Sequence, residues 1–586
     1  MKKIGIGYEN YKEFIDSNMY YIDKTLLIRD ILDKGGKVTL FTRPRRFGKT
    51  LALSMLQTFF EAEIDMDGNS VDNSRYFEGM KIMSSGSDVL SKMGQYPVIK
   101  LSLKSAKQPS FKIAFMKLRE EIVGEFIRHS YVLESSELDD DMKTAFKSMK
   151  SGITTWEKKS YEFKSSAEKE QAFSEEVGKY ATALKTLSTS LKAYHKKNVI
   201  ILLDEYDVPL ENSYYQGFYN EMVGFIRSLF ESALKTNDAL ELAVVTGCLR
   251  ISKESIFTGL NNLNVNSIRG LDFGEYFGFT TDETIGMLRD YGLEAKTDEV
   301  KKWYDGYLFG KAEVYNPWSV IKYVKDHVAD SAALPEPYWS NTSSNSIIRD
   351  MVENADDNVK EELDKLISGG TIEKRIHEDI TYDDIDKNED NLWNFLFFTG
   401  YMKKVSERSL DGEILITMKI PNMEIRLIYR DQIKEWFNKK VKATDFSPLY
   451  EAIKQQDTET IEDFVSSLLS KSISYFDSDE SFYHGFFLSL LYGMPGYVPK
   501  SNREEGDGRP DVLLVPDRAR NPAYIFEIKA RKKYNEMENG LLEAFDQIKD
   551  KKYEEGVLDD GYNGVISFGI CFCKKDCIVG LKSKTE

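Results

Sequence analysis

Cysteine is scarce in this sequence, with four residues in 586. That number excludes a disulfide framework, and it leads us to expect a protein of the reducing cytoplasm. Three of the four (Cys571, Cys573 and Cys577) lie near the end of the chain, but no fourth ligand is nearby, so reduced thiols are favoured over a zinc site. Long apolar runs are also missing, since no stretch approaches the roughly 20 residues of a membrane-spanning helix. The lysines after Met1 are not followed by the apolar core of a signal peptide.

Positive charge is in deficit as well. The 79 lysine and arginine residues face 96 acidic residues, for a net charge of -17, which argues against a protein that coats nucleic acid. Contact with nucleic acid is still open, because it depends on local charge. Residues 34–50 carry six basic residues and no acidic one, and residues 497–556 carry 12 basic and 13 acidic residues. We therefore expect anion chemistry in these two segments.

The pattern of apolar runs predicts several parts. Strand-like runs alternate with helical spacing over residues 1–280, which predicts a parallel α/β sheet. Charged amphipathic helices over residues 110–195 predict a helical insertion or lid in it. Residues 281–440 are expected to be mainly helical, and residues 441–586 to form a smaller α/β domain. The predicted strands are 38–42, 96–103, 198–203, 240–245, 511–515, 524–528 and 565–572.

A basic loop follows the first strand. Residues 43–50 (RPRRFGKT) lie between that strand and a segment with helical spacing. Gly48, Lys49 and Thr50 supply the second half of a phosphate-binding loop, which needs backbone N–H groups facing the anion, a lysine for the phosphates and a hydroxyl for Mg²⁺. The first glycine of that pattern is replaced by Arg43, so a basic loop with an accidental GKT is the alternative. The arginines of the loop that we expect to contact the phosphates are Arg43, Arg45 and Arg46.

Two acidic residues end the apolar run 198–203. Asp204 is expected to hold Mg²⁺ beside Thr50, and Glu205 to polarise the attacking water as a general base. A GKT after one strand and an Asp-Glu pair after another rarely occur together by chance, so we predict ATP or GTP binding. After the run 240–245, Thr246 would sense the γ-phosphate and Arg250 would stabilise phosphoryl charge. A capped turn with a solvated arginine is an equal alternative for these last two.

A second set of charged residues lies near the C-terminus. Glu527 and Lys529 are two residues apart on a predicted strand, so their side chains leave the same face. Asp511 begins the neighbouring strand, so two carboxylates and an ammonium would converge. Carboxylates suit Mg²⁺ or Mn²⁺, and such a metal polarises a phosphodiester and lowers the pKa of bound water. Lys529 would orient that water and neutralise developing charge.

Two further residues would complete this second site. Glu480 opens a helix before the strands and would add a carboxylate ligand. Gln547 lies on the following helix and would position the metal shell or DNA. An Asp with a distant Glu-x-Lys also arises by chance in acidic chains. The order of elements, which is helix, hairpin, strand, helix and strand, favours a metal-dependent nuclease.

These segments together resemble a prokaryotic family in which an AAA-ATPase-like domain is fused to a C-terminal PD-(D/E)XK nuclease-like domain. The likeness covers nearly the whole chain. It implies that the loss of the first loop glycine is a habit of the family, and that Asp511, Glu527 and Lys529 hold nuclease-like active positions. The segments that carry it are YIDKT (21–25), RPRRFGKT (43–50), LDEYD (203–207), TGCLR (246–250), IFTGLNN (256–262), WYDGY (303–307), YNPW (315–318), FTGY (398–401), IPN (420–422), GRPD (508–511) and EIK (527–529).

With this resemblance the expected fold is an α/β multidomain chain. Residues 1–280 would form an AAA-like P-loop ATPase with a parallel sheet and a helical insertion, residues 281–440 a mainly helical middle region, and residues 441–586 a restriction-endonuclease-like α/β domain. The expected metals are Mg²⁺ at both sites, with Mn²⁺ also suited to the nuclease site.

Three functions compete on these residues. The first is an ATP-binding module that gates a Mg²⁺-dependent nuclease acting on DNA. The second is a nucleotide-switched scaffold whose nuclease-like domain binds without cutting, and the acidic charge would then favour a protein partner. The third is a remodelling ATPase working as a homo-oligomer, with Arg250 or an arginine of the loop acting across a subunit interface.

Overall fold

The chain forms two compact units in the computed structural model. The first takes in Met1–Ser343 and Thr371–Leu427, and the second Ser344–Gly370 and Ile428–Glu586. Most of the predicted middle region thus belongs to the first unit, while the boundaries drawn at residues 281 and 441 stay predictions. The structure describes residues 2–65, 67–151, 165–250, 256, 262–339, 357–377, 389–432, 445–470, 480–501, 510–518 and 520–582.

A parallel five-stranded sheet forms the core of the first unit, with the strand order β2-β3-β4-β1-β5. Its central strands are almost wholly apolar and buried, as expected when helices cover both faces of a parallel sheet. The four strands predicted here are confirmed, and β5 was missed because asparagines interrupt its short apolar pattern. The strands are β1 Val38–Thr42, β2 Val98–Ser102, β3 Val199–Asp204, β4 Leu240–Gly247 and β5 Leu263–Asn266.

Helices surround this sheet. The helix Lys49–Phe60 begins directly after the basic loop. The predicted helical insertion is confirmed between β2 and β3, where the described residues form the helices Phe111–Arg128, Asp140–Lys150, Ser166–Tyr180 and Ala183–His195. The other helices of this part are Tyr11–Asp16, Leu26–Lys34, Ser87–Leu90, Val208–Gln216 and Tyr219–Phe230.

The middle region is helical, as predicted, and it also contains two small antiparallel sheets that the sequence did not predict. Their orders are β6-β8-β7 and β10-β11-β9. The helices are Thr281–Asp290, Thr297–Tyr304, Pro317–Ala329 and Glu389–Phe398. The strands are β6 Phe279–Thr280, β7 Tyr307–Phe309, β8 Ala312–Tyr315, β9 Ile372–Arg375, β10 Lys403–Leu410 and β11 Glu413–Lys419.

A buried carboxyl group joins three segments of this middle region by hydrogen bonds. Glu424 is fully buried, and both of its oxygens accept a hydrogen bond from Ser319 Oγ at 2.9 Å. The backbone N–H of Trp339 donates a further bond to Glu424 at 2.8 Å. Burial raises the pKa of Glu424 to about 8. The group is therefore largely neutral near pH 7, which lowers the cost of burying it.

The second unit contains a mixed sheet of order β12-β13-β14-β15-β16, in which β14 and β15 are parallel and the other neighbours antiparallel. The predicted order of helix, hairpin, strand, helix and strand is confirmed. The strands are β12 Tyr497–Ser501, β13 Val512–Pro516, β14 Ala523–Ala530, β15 Val565–Cys573 and β16 Asp576–Leu581. The helices are Asp357–Ile367, Ser447–Gln455, Thr458–Ser470, Glu480–Leu491, Met537–Asp550 and Tyr553–Asp559.

All four cysteines are free thiols, and the three near the C-terminus are buried. Within the described ranges, no helix is both long and apolar enough to cross a bilayer.

Candidate functional sites

The basic loop forms a concave turn between β1 and the helix Lys49–Phe60. Arg46 and Gly48 both have left-handed backbone conformations, with φ of 70° and 84°. Alternating left- and right-handed residues point successive N–H groups into one hollow, which suits an anion. Gly48 immediately precedes the helix, and a helix N-terminus favours negative charge. The loop therefore has the backbone shape of a phosphate site.

Lys49 reaches back into this loop. It is almost fully buried, and its Nζ donates hydrogen bonds to the carbonyl oxygens of Arg43 at 2.8 Å and Pro44 at 2.9 Å. Cys248 Sγ lies 3.7 Å from the same nitrogen. An ammonium held by main-chain carbonyls can exchange them for phosphate oxygens without moving far.

Three residues predicted to act together meet where β3 and β4 end beside the start of the helix Lys49–Phe60. Asp204 ends β3 and is buried. One carboxylate oxygen of Asp204 accepts a hydrogen bond from Thr50 Oγ1 at 2.6 Å, and the other accepts one from Thr246 Oγ1. This set of a hydroxyl beside a carboxylate suits Mg²⁺, which prefers a few oxygen ligands and its own waters. The structure thus brings Thr50, Asp204 and Thr246 together as predicted. Their roles in binding Mg²⁺ and nucleotide stay predictions.

The two acidic residues after Asp204 differ in surroundings. Glu205 has a left-handed φ of 52°, and burial raises its pKa while the charge of Lys49 opposes that shift. Asp207 is buried and accepts hydrogen bonds from the backbone N–H groups of Cys248 at 2.7 Å and Leu249 at 3.0 Å. Asp207 thus joins the segment after β4 to the segment after β3. We did not single it out from the sequence, although it ends the LDEYD segment that marked this site.

Arg43 turns away from the phosphate hollow. Its side chain is fully buried, and Nη1 donates to the carbonyl oxygens of Thr42 at 2.9 Å and Asn266 at 2.7 Å. The guanidinium lies 5.3 Å from the ring centre of Phe277 and 5.2 Å from that of Phe309. Burial lowers the pKa of Arg43 to about 9, so the group keeps its charge at neutral pH. The structure does not bring this side chain to the other predicted nucleotide ligands.

The remaining arginines have other partners. Arg45 forms an ion pair with Glu211 of the helix Val208–Gln216. Arg46 is exposed, and its guanidinium lies 4.4 Å from the ring centre of Trp318. Arg250 is half-buried at the end of the TGCLR segment. Residues 257–261 of the IFTGLNN segment, which follows, lie outside the described residues, as do Gly508 and Arg509 of GRPD.

In the second unit, both predicted carboxylates accept hydrogen bonds from backbone N–H groups of the cluster. The N–H of Ile528 donates to Asp511 Oδ2 at 2.8 Å, and the N–H of Asp511 donates to Glu527 Oε2 at 3.3 Å. Asp511 directly precedes β13, and Glu527 lies in the neighbouring β14. His484 adds a contact of 2.7 Å from its Nε2 to the carbonyl oxygen of Asp511. The two carboxylates are therefore held in fixed positions.

Lys529 completes this cluster, as its spacing predicted. Its Nζ donates to Glu527 Oε1 at 3.1 Å and to the carbonyl oxygen of Ile528 at 3.2 Å, and Glu480 Oε1 lies 3.9 Å away. Burial, helped by the charge of Asp511, raises the pKa of Glu527 to about 7, and Lys529 opposes the shift. Burial works against the charge on Lys529, but the carboxylates of Glu527, Glu480 and Asp511 outweigh it and raise its pKa.

Gln547 approaches the cluster through a partner that we did not predict. Its Nε2 donates to the hydroxyl of Tyr553 at 3.3 Å. Burial raises the pKa of Tyr553, and the hydrogen bond from Gln547 opposes that shift. The charges of Glu527, Asp511 and Lys529 also act on this pKa. Gln547 is thus hydrogen-bonded to a tyrosine hydroxyl whose pKa depends on the charges of the cluster. The only sequence signal for Tyr553 was its place shortly after the helix that carries Gln547.

The donor set of this cluster fits a hard divalent cation. It offers two fixed carboxylates and the carbonyl oxygen of Ile528, with Glu480 close by, and oxygen ligands of this kind suit Mg²⁺ or Mn²⁺. In the described part of the chain, no three His, Cys, Asp or Glu side chains lie close enough together to hold a metal by themselves. A metal would therefore need the main-chain oxygen, water or substrate as further ligands, which is usual for Mg²⁺.

Comparison with known proteins gives matches over both sites. A family model described as a predicted AAA-ATPase matches residues 5–257, and one described as the PD-(D/E)XK nuclease superfamily matches residues 478–581. The chain is a fusion of these two domains. The ATPase-like domain contains the loop, Asp204 and the TGCLR segment, and the nuclease-superfamily domain contains the carboxylate–lysine cluster. Residues 258–477 lie between the two matches.

Individual relatives are distant. An uncharacterised protein encoded in the vnfD 5′ region of Azotobacter chroococcum mcd 1 is 21% identical over 570 residues, covering 94% of this chain and 93% of the relative. A solved structure, the Walker-type ATPase PABY2304 of Pyrococcus abyssi, is 12% identical, with a TM-score of 0.34, and the match covers 70% of this chain and 94% of that one.

Proposed function

We propose that this protein is an ATPase that gates a Mg²⁺-dependent nuclease cutting DNA phosphodiesters. The observation that carries the proposal is the cluster of Asp511, Glu527 and Lys529, in which backbone hydrogen bonds fix both carboxylates and the lysine is charged and buried. A buried charged group costs free energy unless it is used or paired. The buried Glu527 and Lys529, together with the half-buried Asp511, converge at β13 and β14 in the middle of the sheet, and such a cluster supports a catalytic role over a structural one.

Each residue of the cluster has a distinct role in this proposal. Asp511 and Glu527 would hold the metal, together with the carbonyl oxygen of Ile528, and Glu480 would reach it through a bound water. When bound, the metal polarises the phosphodiester and lowers the pKa of a bound water. The ammonium of Lys529 orients the attacking water and offsets the charge that develops on the phosphoryl oxygens. Gln547 positions the metal shell or the DNA through Tyr553.

A basic and aromatic edge supports a polynucleotide as the substrate. Tyr534 follows β14 and is half-exposed, and the ammonium of Lys574 lies 5.5 Å from its ring centre. Lys532 and Lys533 are exposed beside it, although Lys533 also lies 3.9 Å from Glu536. Aromatic rings flanked by cations stack bases and contact phosphates. Because β14 and β15 are parallel, this edge lies at the same end of the sheet as Lys529.

In the ATPase-like domain the loop binds the nucleotide phosphates. The backbone around Gly48, Lys49 and Arg46 supplies N–H groups and positive charge. Thr50 and Asp204 hold Mg²⁺, and Glu205 activates the attacking water. Thr246 and Arg250 respond to the γ-phosphate in this proposal. We name ATP and not GTP as the nucleotide because the matching family model describes a predicted AAA-ATPase.

A cleavage assay tests the nuclease. Full-length protein is incubated with linear, circular and single-stranded DNA, with Mg²⁺, Mn²⁺ or EDTA. We expect metal-dependent cleavage that falls at least a hundredfold in Glu527→Gln and Lys529→Met. Lys454→Met, on the helix Ser447–Gln455 and outside both the cluster and the basic edge, serves as the matched control for the loss of one positive charge. Cleavage that persists in both cluster variants would refute the proposal.

Two outcomes of the same preparations would point elsewhere. Nucleotide-dependent binding of DNA or of a protein, without any cut strand, would favour the switched scaffold. ATP turnover that rises with protein concentration would favour a homo-oligomer in which Arg250 acts across an interface.

A further inference from the structure

The segments WYDGY, YNPW, FTGY and IPN, which carried part of the resemblance, have no role in the proposed chemistry, yet the first three contact the phosphate loop. Phe47 of the loop packs against Tyr307 of WYDGY at 4.9 Å between ring centres. A Cβ atom at Gly400 of FTGY would lie 2.9 Å from Pro44 Cβ, so the loop and the FTGY segment are in close contact there. Arg46 lies over Trp318 of YNPW. The middle region thus packs against the loop.

Arg46 is the unusual residue among these contacts. It adopts a left-handed φ of 70°, which favours glycine and is strained for a residue with a side chain. The loop needs this conformation to turn its N–H groups inward. A favourable interaction of the Arg46 side chain would offset part of that strain.

Trp318 is built as a rigid support for that side chain. Its backbone N–H donates to Asn316 Oδ1 at 3.0 Å at the start of the helix Pro317–Ala329, and its indole N–H donates to the carbonyl oxygen of Tyr338 at 3.2 Å. The first bond fixes the backbone of Trp318, and the second fixes the orientation of its ring. The Arg46 guanidinium lies 4.4 Å from its centre, well inside the distance at which a cation is attracted to an aromatic face.

We propose that Trp318 is a positioning residue for the nucleotide site, which acts by holding Arg46 in the left-handed conformation that shapes the phosphate loop. This inference rests on the proposed binding of nucleotide at that loop. It gives the middle region a function, because a loop that lacks the first glycine of the usual pattern obtains its shape from an aromatic ring outside the matched ATPase-like domain.

The test is a double-mutant cycle on the full-length chain, with binding of Mg²⁺ and ATPγS measured by titration calorimetry. Trp318→Leu should weaken binding about tenfold, which corresponds to about 1.4 kcal/mol. Trp318→Phe keeps an aromatic face and should bind within about threefold of the parent. Arg46→Gly adopts the left-handed φ without strain, so Trp318→Leu added to Arg46→Gly should change affinity less than twofold.

Lys322→Ala is the matched control. The ammonium of Lys322 lies 5.8 Å from the centre of the same ring but is not part of the loop, so its removal should leave the affinity unchanged. An equal loss from Trp318→Leu in both backgrounds would overturn the inference, as would no loss in the parent background. A Trp318→Leu protein that fails to fold leaves the Phe variant to decide, since a tenfold loss there would contradict an aromatic support. A parent protein that binds no nucleotide would instead refute the proposed ATPase.

Discussion

Replacing Arg43 gives a sharp prediction, because sequence pattern and structure point in opposite directions. Arg43 stands where the usual phosphate loop has its first glycine, so the pattern suggests that Arg43→Gly is harmless. In the structure, the guanidinium is buried between Phe277 and Phe309 and donates to two carbonyl oxygens. We expect Arg43→Gly to destabilise the first unit strongly.

The magnitude follows from what is lost. Removing a large buried side chain costs roughly 3–5 kcal/mol, and hydrogen bonds from a charged donor contribute about 1.5–3 kcal/mol each. Part of this is offset, because the Nε and Nη2 atoms of Arg43 have no hydrogen-bond partner among the described residues, and burying them already costs free energy. A net loss of about 4 kcal/mol is therefore reasonable. Arg43→Met fills most of the same space without a buried charge and should cost less than about 2 kcal/mol.

Urea unfolding of the full chain measures both variants. The transition of the first unit is identified as the one that moves to higher urea when nucleotide is added. With a slope of about 3 kcal/mol/M, Arg43→Gly should lower its midpoint by about 1.3 M. Arg43→Met should lower it by less than half as much and should still bind nucleotide. A glycine variant as stable as the parent, or a methionine variant that folds but loses nucleotide binding, would refute this account of Arg43.

Two further predictions concern buried groups. The folded-state pKa of Glu424 is raised from its ordinary value near 4.5 to about 8, so the folded state binds more protons than the unfolded state in that window, and stability falls as the pH rises through it. Glu424→Gln should remove this slope, which amounts to up to about 1.4 kcal/mol per pH unit. Thermal unfolding of both proteins at pH 5.5 and pH 8 would then show the variant gaining stability relative to the parent at pH 8. An equal difference between the two proteins at both pH values would contradict the prediction. Tyr553→Phe removes the hydroxyl to which Gln547 donates. Because we propose that this pair positions the metal shell or the DNA, cleavage should slow about tenfold while folding is unchanged. An unchanged cleavage rate would exclude the positioning role of Tyr553.

The elements with strong local signals could be predicted from the sequence. The buried strands of the parallel sheet are mostly apolar runs, so each of them can be recognised in the sequence by itself. Asp204 ends β3, and Thr50 lies at the start of the helix that follows β1. All strands of this sheet are parallel, so both residues lie at the same end of it, and their approach was foreseeable although β4 separates β1 from β3. The same holds for Glu527 and Lys529, whose separation by two residues fixes a common face.

Other features depended on contacts between distant residues. The direction of the Arg43 side chain is set by Phe277 and Phe309, more than 200 positions away, and the loop pattern describes only the backbone. The strand β10 carries mostly exposed side chains, several of them charged, so it shows no apolar alternation to predict it. Trp318 and Tyr553 are ordinary aromatic residues in the sequence, and only the fold brings them to the two sites.

The central claim is that nucleotide controls the nuclease, and the most direct measurement is the rate of DNA cleavage with and without ATP in the parent and in Lys49→Ala. The account predicts that ATP changes the parent's rate at least tenfold. It also predicts that Lys49→Ala cleaves at one rate in both conditions, because its loop cannot hold the phosphates. A parent that cleaves equally fast with and without ATP, while nucleotide binding is confirmed by calorimetry, would contradict gating and leave two independent activities in one chain.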